Sequence, residues 1–157
     1  MELTPDNLKA FEEIVARYPV KRSALLPTLR LVQEQEGWIS REAIRYVAKL
    51  LDLTPAQVED TASFYTMFKR EHVGRYLISV CTSISCMLCG GDDVLEAIEE
   101  ASGAEDGETS TDGLFSVEHV ECIGACGGAP AVQVNYETIE GVTPDNGAAL
   151  IAWLRDS

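Results

Sequence analysis

The chain has 157 residues, 46% of them apolar, and a formal net charge of −14. Residues 1–75 are neutral, with eleven Lys/Arg against eleven Asp/Glu, whereas residues 76–154 carry fourteen acids and no Lys or Arg. An acidic half of this kind repels phosphate backbones, which argues against nucleic acid, and suits steering of a basic protein partner. The apolar runs are too short for a bilayer span and the opening MELTPDN lacks a signal pattern, so a soluble cytosolic chain with no direct membrane insertion is expected.

In chain order the first 70 residues read as helices. Thr4-Pro5 supplies an N-cap and a first-turn proline, with Leu8, Phe11, Val15 and Tyr18 predicted on one face and Pro19 as the stop. A second helix is expected from near Ser23, with Leu25, Leu29 and Val32 as its stripe and Gly37 as its C′ residue. Ser40 caps a third, whose Ile44, Val47, Ala48 and Leu51 follow the helical repeat. Thr54-Pro55-Ala56-Gln57 is a capping box opening a fourth helix, which is expected to run into the aromatic-rich ASFYTMF stretch ending at Phe68. Its surplus aromatics suit contact with the second half or with a partner. Lys69 to Gly74 reads as a polar linker.

After the linker the apolar period changes from helical to alternating. Arg75 to Val80 is predicted as a strand, followed by a helix from about Asp92, a loop over 102–113 and a strand from Phe115 to Val120. Ala131 to Asn135 and Tyr136 to Val142 are two further strands, and Thr143-Pro144 caps a last helix. The expected fold is α+β: an N-terminal helical bundle over residues 1–72, then a thioredoxin-like α/β domain over residues 73–157 with a small mixed sheet and helices on its faces.

Five cysteines fall in this second part: Cys81, Cys86 and Cys89 after the first strand, Cys122 and Cys126 after the second. In a reducing compartment such a group favours metal or redox chemistry over structural disulfides. A thioredoxin-type pair, Cys86 and Cys89, leaves three cysteines without a role and has no nearby basic residue to lower a thiol pKa. A zinc site wants four converging ligands, usually from C-x2-C knuckles, and only Cys86/Cys89 has that form. A plant-type 2Fe–2S reading uses Cys81, Cys86 and Cys89 but predicts one distant cysteine where the chain has two. The grouping C-x4-C and C-x3-C, with Cys81, Cys86, Cys122 and Cys126 as ligands and Cys89 as the spare, uses both loops in full. Gly124, Gly127 and Gly128 suit a backbone that wraps a cluster. His72 and His119 lack ligand spacing to any cysteine and are expected on the surface or in a strand.

The stretches VCTSISCMLCGG, TDGLFSVEHVECIGACGGAPAVQVN, LVQEQEGWIS and ASFYTMF closely resemble the thioredoxin-like 2Fe–2S subunits of NADH-quinone oxidoreductase, the bacterial respiratory complex I. The resemblance covers almost the whole chain. It implies one 2Fe–2S cluster on Cys81, Cys86, Cys122 and Cys126, with Cys89 outside the ligand set. It also implies single-electron exchange with FMN on a partner flavoprotein that takes hydride from NADH, within a larger dehydrogenase assembly peripheral to the inner membrane. The same module in a soluble NAD(P)-linked hydrogenase or formate dehydrogenase is the alternative. No G-x-G-x-x-G is present, so NADH binding by this chain itself is not expected, nor is any covalent catalysis. The surrounding acids disfavour a reduced, more negative cluster, so a low potential is expected. The neutral helical half is the candidate for much of the docking to the flavoprotein.

Overall fold

In the computed structural model, which describes residues 1–157, the chain forms two compact units, Met1–His72 and Val73–Ser157. The first is all helical: α1 (Pro5–Ala16), α2 (Leu25–Glu36), α3 (Arg41–Leu51) and α4 (Pro55–Phe64). Three of the four starts are set by hydroxyl caps, which satisfy backbone donors that a helix leaves free. Thr4 accepts from the Asn7 N–H, Ser40 from Ala43, and Thr54 forms a full capping box with Gln57. α2 instead follows a 3₁₀ turn over Lys21–Ala24, and Pro27 falls in its first turn, where a missing N–H costs little. Gly37 ends it at φ 81°, a left-handed conformation that glycine adopts without strain.

The buried set of this unit includes Leu29, Val32, Ile44, Val47, Ala48, Leu51 and Val58, so the stripes of α2 and α3 bury as their spacing predicts. α1 differs. Phe11 is buried, but Leu8 and Tyr18 are about two-fifths exposed and the helix ends at Ala16, before Pro19. α4 also stops early, at Phe64, because Tyr65 turns to extended geometry; Phe68 is buried while Phe64 and Met67 face solvent. The Gln33 side chain holds the segment that follows. Its amide donates to the Met67 carbonyl at 2.8 Å and accepts from the Lys69 N–H at 2.7 Å, and Ile39 donates to the Lys69 carbonyl. Gly74 donates to the Ser116 hydroxyl and packs directly on the Leu114 and Phe115 backbone.

The second unit contains β1 (Tyr76–Cys81), α5 (Ile84–Leu88), α6 (Gly91–Ser102), β2 (Phe115–Val120), β3 (Ala131–Val134), β4 (Glu137–Glu140) and α7 (Pro144–Arg155). The sheet is mixed, in the order β2-β1-β3-β4, with β1 parallel to β2 and antiparallel to β3. Asn135 and Tyr136, both at positive φ, make the two-residue turn between β3 and β4, so the fourth strand is shorter than Tyr136 to Val142. Residues 102–113 do more than loop: Asp106 and Thr109 bridge to Val117 and Ser116, covering part of the β2 edge.

Strand alternation sorts this unit into two layers. Ile78, Val80, Phe115, Val117 and Val132 form one core with Val94 and Ile98 of α6 and Ile151 and Leu154 of α7. Both long helices thus share one core on one sheet face, rather than one on each. Gly147 lets α7 close on Ile98, where an added Cβ would lie 3.2 Å from the isoleucine. The opposite parity of β1 carries Leu77, Ser79 and Cys81, which places the last of these outside that core. No helix is long and apolar enough to cross a membrane.

Candidate metal centre

Because β1 and β2 run parallel and in register from Tyr76↔Phe115 to Cys81↔Val120, their C-terminal ends lie side by side. The Thr82 N–H continues the ladder to the Val120 carbonyl. Each strand then releases a cysteine loop at the same end of the sheet, the usual position for a site in parallel strands. Antiparallel β3 begins there too, since Val132 pairs with Val80 and Ala131 precedes it. Pairing that is distant in sequence thereby brings residues 81–89 and 122–131 together.

The sulfurs have unequal environments. Cys81 and Cys86 are buried and, with Ala131, form a small cluster lined by Ile123, Ala125 and Ala129; Cys89, Cys122 and Cys126 are exposed, and none of the five is in a disulfide. Burial pushes the Cys81 thiol up, but the backbone N–H groups of Ser83 and Ile123 and the Cys86 thiol donate to its sulfur and hold it below the ordinary thiol range. Burial pushes Cys86 up; the Ala131 N–H opposes this, while its bond to Cys81 and the charges of Cys81 and Cys126 add to it. Cys81 and Cys126 are thus each within electrostatic reach of Cys86. Cys122 lies two residues beyond Val120, the backbone partner of Cys81, on the exposed lip of the same loop.

Two glycines shape the enclosure. Gly124 takes φ 86° between Cys122 and Cys126, where a side chain would strain the turn. Gly91, the first residue of α6, packs against the backbone of the two buried cysteines: a Cβ there would lie 2.9 Å from the carbonyl oxygens of Cys81 and of Cys86. The role of Gly91 was not legible from sequence. Nor were the N–H donors Ser83, Ile123 and Ala131 legible, since nothing in a side chain marks a backbone donor.

The first loop is also more ordered than predicted. Ile84–Leu88 is a short helix, with Cys86 in its middle and Cys89 at its C-terminal end. A thioredoxin pair needs a thiolate at a helix N-terminus, where the dipole lowers its pKa; here Cys86 is buried in the middle of α5 with its pKa raised. Cys89 is exposed and packs in no core, so it is not a structural filler. His119 pairs with Asp106 at 2.6 Å and His72 lies edge-on to Trp38. Zinc sites usually draw on C-x2-C knuckles, whereas a 2Fe–2S rhomb takes two thiolates on each of two irons; the pairs Cys81/Cys86 and Cys122/Cys126 on two loops have the chemistry of the latter.

A sequence profile of the thioredoxin-like [2Fe-2S] ferredoxins matches residues 11–155. The chain belongs to that family. Among its relatives, an NADH-quinone oxidoreductase subunit of Mycobacterium bovis is 42% identical over 155 residues, covering 96% of this chain and 62% of the relative. NADH-quinone oxidoreductase subunit 2 of Thermus thermophilus is 42% identical over 96% of this chain and 84% of its own length. The corresponding NADH-quinone oxidoreductase subunit of Rickettsia bellii is also 42% identical, over 96% and 92% respectively. The chain therefore spans less than two thirds of its mycobacterial relatives. Among solved structures, an NAD+-reducing [NiFe]-hydrogenase in the H2-reduced state superposes with TM-score 0.75 over 85% of this ferredoxin-family chain and 22% of the other, at 22% identity. That likeness establishes the fold alone.

Proposed function

We propose that Cys81, Cys86, Cys122 and Cys126 hold one 2Fe–2S cluster and that the chain is an electron-transfer subunit of an NADH-quinone oxidoreductase. In this reading it exchanges single electrons with FMN on a partner flavoprotein subunit and carries no NADH site of its own. Residues 73–157 would be the ferredoxin domain and residues 1–72 a helical domain that contributes to docking. The assembly would be cytoplasmic and peripheral to the inner membrane. The observation that carries the reading is the meeting of two cysteine loops at the ends of parallel β1 and β2, with the Cys81 and Cys86 thiols hydrogen-bonded and Cys126 acting on Cys86. The relatives named as NADH-quinone oxidoreductase subunits support the parent assembly.

When bound, a 2Fe–2S cluster supplies reversible one-electron chemistry. The chain's own residues would govern how easily it accepts charge. N–H donors from Ser83, Ile123 and Ala131 point at the two buried sulfurs and stabilise added negative charge, which raises the potential. Fourteen acids over residues 76–154, with no Lys or Arg among them, act the other way. The exposed acids are many but screened, and their excess favours a low potential. Burial of Cys81 and Cys86 keeps water from their side of the site, whereas Cys122 and Cys126 are exposed.

Anaerobic purification followed by iron and sulfide analysis tests this directly: about two irons and two sulfides per chain are expected, with an EPR signal on reduction. A colourless protein with near-stoichiometric zinc would overturn it, as would insulin-disulfide reduction dependent on Cys86 and Cys89. The hydrogenase likeness keeps a soluble NAD-linked assembly as the second reading; identifying the polypeptides of the native complex separates the two.

A further inference from the structure

α5 presents its apolar side to solvent. Ile84, Met87 and Leu88 are 72%, 46% and 76% exposed, and their i, i+3, i+4 spacing puts them on one face. Cys86, 1% exposed, lies on the opposite side of the same turn. A five-residue helix has no need of three large apolar side chains on its wet face, and a group of this kind marks an interaction site more often than chance exposure. In the same unit α6 opens with exposed Asp92 and Asp93, exposed Glu121 precedes the second cysteine loop, and residues 76–154 contain no Lys or Arg.

We propose that this face of α5 is the docking surface for the flavin-bearing subunit, met by an apolar surface rimmed with Lys and Arg. The inference rests on the electron-transfer reading above. Two arguments select this occupant. Electron exchange requires the partner's flavin close to the group held by Cys86, and α5 carries Cys86 on its buried side while its opposite face is exposed. Charge complementarity excludes the rivals: a second copy would set acid against acid, and an anionic lipid surface would be repelled in the same way. A basic rim steers the encounter, while the three apolar side chains supply a dry centre of the kind that carries most binding energy.

The test uses the full chain with its cluster and the FMN-containing polypeptide isolated from the native assembly, identified by its flavin. The double variant Ile84→Glu/Leu88→Glu should bind at least tenfold more weakly than wild type, with iron, sulfide and the EPR signal unchanged. Leu88→Lys, a single change at the most exposed of the three, guards against loss of fold and should also weaken binding severalfold, since it sets a charge in the dry centre and a cation within a basic surround. Wild-type affinity should fall with added salt. Undiminished affinity in both variants would overturn the proposal while leaving the electron-transfer reading intact. Sedimentation showing a wild-type dimer that the variants abolish would assign the face to self-association and equally overturn it. Failure of cluster-loaded wild type to bind the flavin polypeptide at all would instead sink the electron-transfer reading, and this inference with it.

Discussion

Gly91 seats against the backbone of Cys86, so closely that a methyl group at its Cα would come within 2.9 Å of the Cys86 carbonyl oxygen and equally close to that of Cys81. The start of α6 thus fixes the spacing between the two buried cysteines. Gly91→Ala should destabilise the unit by about 1–3 kcal/mol through overpacking, and should also shift the EPR line shape or midpoint potential of the bound cluster. Gly74→Ala is the control. Its Cβ would meet the Phe115 backbone at 2.8 Å, but that contact lies far along β2 from the cysteines, so it should lower stability without changing the spectrum.

The ligand assignment separates on two single changes. Cys89→Ser should leave visible absorption and the reduced EPR signal intact, because Cys89 is exposed at the end of α5 and packs in no core. Cys126→Ser should abolish or alter both, because Cys126 acts on Cys86 from the second loop. Reversed outcomes would indicate the plant-type grouping instead.

Asp112 ties the loop before β2 to the last helix. Its carboxylate accepts from the Ser110 hydroxyl and the Leu114 N–H and pairs with Arg155 at 2.6 Å, which together lower its pKa from 3.8 to about 2. A carboxyl with a depressed folded pKa contributes stability that is complete above its unfolded value and lost as pH falls. The window here runs from about pH 4 down to about pH 2. Asp112→Asn should therefore flatten the acid limb of a Tm-against-pH curve across that window, and a limb unchanged in slope would remove Asp112 as a contributor.

Gln33 provides a fourth test. Its amide satisfies both the Met67 carbonyl and the Lys69 N–H behind α4. Gln33→Ala should cost about 1–3 kcal/mol for the polar groups left without that partner, read as a lower urea midpoint. Faster amide exchange at Lys69 should accompany it, and unchanged exchange there would argue that the clamp is not what holds the segment.

Local signals were legible where the chemistry is local. Thr4, Ser40, Thr54 and Thr143 each accept from an N–H three residues on, so the helix starts could be read from hydroxyls and prolines alone. The α3 stripe was equally clear, because Ile44, Val47, Ala48 and Leu51 all bury on one side. Where a tertiary partner decides, sequence misled. Leu8 and Tyr18 keep the helical spacing yet stay partly exposed, and α4 ends at Phe64 although ASFYTMF has no breaker; the turn there is held by Gln33, some thirty positions away. α5 was missed because five residues carry too little periodicity to register.

For the candidate centre, the sequence by itself determined which atoms are on offer: five sulfurs, two loops after two strands, glycines where the backbone must turn, and a run of acids over residues 76–154 with no Lys or Arg among them. Only the tertiary structure decided which sulfurs share a neighbourhood and which backbone donors face them. Spacing along a chain constrains neighbours within a loop. Bringing Cys126 within reach of Cys86 instead depends on parallel pairing of β1 with β2 and on β3 returning beside Cys81, hydrogen bonds between segments that carry no mark of their partner in their own residues.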